Sequence, residues 1–153
     1  MTTAVHRLNF SVHIAAPVPR VWDTMLELDT YRDWTAPFCE GSTYEGSWEQ
    51  GARIRFLAPS GDGMVAEIAE NRRHAFVSIR HLGVIVNGVE DTTSESVKAW
   101  TPAHENYRFT PEAGGTRLDI EQDISAEWAA MMDEMWPKAL ARLKALCEAP
   151  ERA

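Results

Sequence analysis

Residues 8–22 read Leu-Asn-Phe-Ser-Val-His-Ile-Ala-Ala-Pro-Val-Pro-Arg-Val-Trp, and the period of the chain changes inside them. Leu8, Phe10, Val12 and Ile14 alternate with Asn9, Ser11 and His13, the two-residue repeat of a half-buried strand. Pro17 and Pro19 stop that strand and preset the backbone for the first turn of a helix. Val18, Val21, Trp22, Met25 and Leu28 supply its apolar stripe. Asp29-Thr30 then breaks the helix, and residues 31–34 form one more turn capped by Thr30.

The far end of the chain returns to a helical period. A helix is expected from Ser125, a capping residue, to Cys147, with Glu127 in its first turn. Its stripe is Trp128, Met132, Met135, Ala139, Leu143 and Leu146. Between the two ends lie strand candidates at 40–48, 53–57, 63–70 and 75–82, separated by short turns in the manner of an antiparallel meander. A polar stretch, 83–103, interrupts the rhythm. Two further strands, 104–110 and 116–124, meet at a turn containing Gly114-Gly115. A single long helix ending a strand-rich chain must bury its stripe against the sheet. The expected class is therefore α+β: a curved antiparallel seven-stranded sheet wrapped round a long C-terminal helix, two short helices between strands 1 and 2, and one domain spanning residues 1–153.

Bulk composition narrows the partners. A formal charge of −8 repels nucleic-acid phosphates. No apolar run approaches the ~20 residues of a membrane span. Residues 1–8 lack the basic and apolar regions of an export signal. Cys39 and Cys147 stand outside any CxxC pair or Cys/His cluster, so both are expected as free thiols in a cytoplasmic protein. Glu90, Asp91 and Glu95 do not follow a calcium-loop order, and Gly61-x-Gly63 lacks the third glycine of a dinucleotide site. With no metal cluster, phosphate loop or Schiff-base signature, no cofactor is expected.

Strand parity selects the inward side chains. His81 shares a face with Val77 and Ile79, Glu105 with Tyr107 and Phe109, and Gln122 with Leu118 and Ile120. The alternate positions, Arg117, Asp119, Glu121 and Asp123 among them, carry the charge. If these three strands are consecutive antiparallel neighbours, His81, Glu105 and Gln122 converge at one end of the sheet. The last helix starts at that end, placing Trp128, Met131, Met132 and Met135 above them. Ile54, Phe56, Met64, Ala66 and Ile68 line the other half by the same parity, and Trp34 and Phe38 sit where the first helices return to the sheet. The expected result is an apolar chamber with polar groups at one end. The His81–Glu105–Gln122 group admits three readings: a satisfied packing network, a ligand-orienting wall, or an acid–base pair. Pro137 inside the last helix frees the carbonyl of Asp133, giving either a static bend or a hinge for a gate.

The segments Val12-x-Ile14-x-Ala16-Pro17, Tyr31-x-x-Trp34, Glu45-Gly46-x-Trp48-x-x-Gly51, Glu105-x-Tyr107, Gly114-Gly115-Thr116-x-Leu118 and Trp136-Pro137-x-x-Leu140 resemble the START-like, helix-grip superfamily (SRPBCC). Within it the chain most resembles bacterial proteins similar to the ATPase activator of the heat-shock protein 90 chaperone. The resemblance spans nearly the whole chain. It implies a helix-grip fold and a cavity for a small hydrophobic molecule, the partner expected here. The superfamily also contains cyclases, dehydratases and hydrolases, so His81 and Glu105 are the candidate acid–base pair. A chaperone partner is the third implication. The eukaryotic activators carry an additional N-terminal chaperone-binding domain for which this chain has no counterpart.

Overall fold

The computed structural model describes residues 5–149, so the reading of residues 1–8 falls partly outside it. The alternating stretch forms β1 (Val5–Ile14), and the prolines open α1 (Val18–Leu26) with Pro17 at its N-cap. The break falls at Glu27 rather than at Asp29-Thr30. Thr30 lies inside α2 (Leu28–Trp34), where its hydroxyl donates back to the Glu27 carbonyl instead of capping. The chain continues through β2 (Thr43–Gly46), β3 (Arg53–Leu57), β4 (Gly63–Arg72) and β5 (Phe76–Val86). It then forms β6 (Val89–Asp91), the single turn α3 (Glu95–Lys98), β7 (Ala103–Glu112), β8 (Gly115–Ser125) and α4 (Ala126–Glu148).

All strand pairs are antiparallel, and the sheet runs β1-β8-β7-β5-β4-β3-β2, with β6 attached to β5. There are thus eight strands among the described residues, one more than the seven expected. The difference lies in the polar stretch. β5 runs on past residue 82 to Val86, turns at Asn87-Gly88, where both residues have positive φ, and returns as β6. A bulge explains why parity did not carry through. Val65 pairs with Gly83 but Ala66 with His81, which leaves Leu82 as an extra residue. Beyond it the alternation of β5 inverts and turns Ile85 to the outer face, where it is buried with Val65 of β4 and Val97 of α3.

The main core lies on the inner face. Ile54, Ile68, Ile79, Leu118 and Ile120 from the sheet meet Val21 and Met25 of α1, Trp34 of α2, and Trp136, Ala139 and Leu143 of α4, all but sealed from solvent. Burying each of the valine, leucine, isoleucine and methionine side chains contributes about 1.5–3 kcal/mol. The outer face carries ion pairs, among them Arg7 with Asp123, Arg55 with Glu90 and Arg80 with Glu67. Cys39 is exposed, Cys147 is buried, and both are free thiols. No described helix is long and apolar enough to cross a membrane.

Candidate functional site

The three central strands pair in the order parity requires. Glu105 on β7 is paired with Ile79 of β5 on one side and with Gln122 of β8 on the other, and His81 lies opposite Ala103, the first residue of β7. Although β5 does not end at His81, its pairing with β7 does, so the convergence survives. Glu105 Oε1 lies 3.2 Å from His81 Nε2 and accepts a hydrogen bond from Gln122 Nε2 at 3.2 Å. The other carboxylate oxygen accepts from the Tyr107 hydroxyl. Gln122 Oε1 in turn accepts from the Trp136 indole N–H at 2.8 Å, which ties the polar group to α4. Because the carboxylate takes only donors here, the ring proton of His81 belongs on Nε2. His81 Nδ1 is buried without a partner.

This wall borders a half-open cavity of about 140 Å³. The sheet contributes Phe56, Met64, His81, Glu105, Tyr107 and Gln122; α4 contributes Met132 and Trp136. The remaining side is α2 and the loop after it, with Tyr31, Trp34, Thr35, Phe38 and Ser42. Ring contacts run continuously round it. His81 touches Phe56 (centroids 5.9 Å apart), Phe56 touches Tyr31 (6.2 Å), and Tyr31 touches Trp34 (5.6 Å). Trp34 stacks on Trp136 (6.0 Å), and Trp136 meets Tyr107 edge-on (6.2 Å). The Tyr107–Glu105–His81 hydrogen bonds close the circle. Among the described lining residues there is one carboxylate and neither lysine nor arginine.

Burial, and then the negative charge of Glu105, push the phenols of Tyr31 and Tyr107 well above their ordinary value, so both stay neutral. The Tyr107 hydroxyl is committed to Glu105, whereas that of Tyr31 makes no hydrogen bond to a described residue. Thr35 and Ser42 spend their hydroxyl protons on the backbone carbonyls of Tyr31 and Cys39.

Nine of the residues expected from parity and position therefore border one space: Trp34, Phe38, Phe56, Met64, His81, Glu105, Tyr107, Gln122 and Met132. Three do not. Trp128 and Met131 are exposed, and Met135 faces a shallow groove with Ala36, Pro37 and Arg142 on the other side of α2. At about 100° per residue, Trp128 and Met135 share one side of α4, and Met132 and Trp136 share another roughly a quarter-turn away. The helix presents the second side. The chamber is also smaller than an empty grip would leave, because Trp136 and Trp34 occupy its centre. Four lining residues, Tyr31, Thr35, Ser42 and Trp136, are not among those expected. The signal for Trp136 was its place four residues after Met132 and four before Leu140; that for Tyr31 was its spacing from Trp34 and Thr35 on one short helix.

Solved structures share this architecture. Protein MLL2253 from Mesorhizobium loti superposes with a TM-score of 0.73 at 14% identity, covering 96% of this chain and 100% of that one. The Aha1 dimer from Colwellia psychrerythraea gives 0.71 at 16% identity, over 96% and 99%. Protein CV1439 from Chromobacterium violaceum gives 0.68 at 18%, over 94% and 98%. At such identities the likeness is one of fold. No curated protein matches the chain. A family model does, over residues 5–148, which takes in every element from β1 to α4, and the chain belongs to the family described as polyketide cyclase / dehydrase and lipid transport.

Proposed function

We propose that the protein binds a small hydrophobic molecule in the cavity between the sheet, α2 and α4. The supporting observation is the half-open, mainly apolar space with its polar groups gathered on one wall, the usual composition of a small-molecule site. A cavity of about 150 Å³ holds one benzene, so the present volume suits a single ring or a short branched chain. The membership of a family that includes lipid transport agrees with an apolar ligand. Met132, a flexible thioether at the cavity wall, lets the site adjust to shape.

A second reading rests on one contact, the His81–Glu105 pair. A carboxylate that fixes the Nε2–H tautomer leaves the other ring nitrogen as an acceptor, the arrangement of an oriented general base. One experiment separates the readings. Native mass spectrometry of the freshly purified chain, alone and after incubation with small apolar compounds, is expected to show a one-to-one adduct of unchanged ligand mass. A converted mass, lost in His81→Gln with the adduct retained, would replace the binding reading with the catalytic one. Absence of any adduct across the panel would refute both.

A further inference from the structure

The cavity combines two features that an apolar ligand does not use together: an almost unbroken belt of aromatic rings, and one part-buried carboxylate with neither lysine nor arginine beside it among the described lining residues. We infer that the ligand carries a positive charge, as a small organic ammonium with apolar substituents. This inference rests on the cavity being the binding site, and it names the class of molecule that the site prefers.

Glu105 supplies the first half of the preference. Its side chain is 13% exposed, and its three described partners are the His81 ring, the Gln122 amide and the Tyr107 phenol. They donate hydrogen bonds but bring no fixed positive charge. A negative charge so placed has hydrogen-bond donors but neither lysine nor arginine among the described lining residues, and a neutral apolar ligand would desolvate it further. A cation in the cavity would relieve that cost instead of adding to it.

The rings supply the other half. Tyr31, Trp34, Phe56, Tyr107 and Trp136 surround the space with ring contacts from one to the next. Aromatic faces carry the negative part of the ring quadrupole and attract cations most strongly where water is excluded. An ammonium ion whose hydrogens are replaced by alkyl groups needs no hydrogen-bond acceptor, so it can sit against the rings without competing for the lone pairs of Glu105. An anionic ligand, by contrast, would meet the carboxylate with nothing to offset it.

The test uses the full chain and two probes of nearly the same shape: choline, and 3,3-dimethylbutan-1-ol, in which carbon replaces the charged nitrogen. Isothermal titration or chemical-shift mapping reads affinity, and the indole N–H resonances of Trp34 and Trp136 report occupancy. Choline is expected to bind about ten-fold or more tighter than the alcohol. Glu105→Gln is expected to weaken choline by a larger factor than the alcohol and so to remove most of that preference. Phe56→Leu keeps an apolar wall but removes a π face, and is expected to weaken choline several-fold more than the alcohol; it guards against a fold defect in the first variant. Equal or tighter binding of the alcohol would overturn the cation preference while leaving the cavity as an apolar binding site. A choline affinity indifferent to both variants would overturn it too. Binding of neither probe, with apolar rings still bound, would do the same.

Discussion

Gln122 settles the orientation of the polar wall. Its NH₂ must face Glu105, which only accepts, and its oxygen must face the Trp136 indole, which only donates, so turning the amide over would break both bonds. One residue further along β8 the side chain points to the opposite face, and Asp123 serves the rim of the sheet. It accepts from the Arg7 guanidinium on β1 and from the backbone N–H of His104 at the start of β7. Burial alone would push the Asp123 carboxyl up. The Arg7 hydrogen bond, the His104 N–H and the charge of Arg7 outweigh burial and hold it below its ordinary value. A carboxyl lowered by folding stabilises the native state above its unfolded pKa of about 3.9, and that contribution disappears as pH falls through the folded value. Asp123→Asn is therefore expected to cost no more than about 1 kcal/mol at pH 7. The gap between variant and parent should close as acid titration passes below about pH 4. Urea denaturation at a series of pH values measures this; a gap of constant size would mean that packing, not charge, had been lost.

At the scale of elements, α4 shows where periodicity is decisive and where it is not. After Pro137 the charged residues Lys138, Arg142 and Lys144 leave one apolar side, and Ala139 and Leu143 are buried as their spacing predicts. Before Pro137 both sides of the helix are apolar, Trp128 and Met135 on one and Met132 and Trp136 on the other, and spacing alone has no means of choosing. The choice falls to a partner distant in sequence: Gln122 offers an acceptor that Trp136 Nε1–H reaches and that methionine could not use. The bulge at Leu82 is a second case, because one extra residue inverts the alternation and its marker, a lone glycine at position 83, fits a turn as well as a bulge. Pro137 itself sits on the exposed side of an unbroken helix, as does Asp133, so the carbonyl it frees meets water. The native state gains no packed contact from an exposed ring. Pro137→Ala is accordingly expected to raise stability by about 1–3 kcal/mol, and to slow amide exchange around residues 133–141. Urea melts and hydrogen exchange would show it; unchanged or lower stability would mean that the proline ring holds α4 in the curvature the sheet requires.

For the whole molecule, the direction of each element was legible and the volume it encloses was not. Strand parity and antiparallel order suffice to bring His81, Glu105 and Gln122 together, because both follow from a period of two and from chain direction. The size of the cavity depends on rotamers and on how far two tryptophans, Trp34 and Trp136, reach across the grip, quantities that no pattern encodes. They turn a broad groove into a space of about 140 Å³, and that limit can be tested by thermal shift. A ligand at a hundred times its Kd stabilises the native state by about 2.7 kcal/mol. A chain of this length gains roughly 2–4 °C per kcal/mol, so a single-ring or short branched ligand at that excess should raise Tm by roughly 5–11 °C. Long acyl chains, which overfill the space, should not. Trp34→Leu removes one of the two rings that divide the grip and should shift the preference toward longer chains, at a stability cost of about 2–4 kcal/mol. If long chains raised the Tm of the parent chain as strongly as single rings, the tryptophan pair would have to part on binding, and its stacking would be a gate rather than a wall.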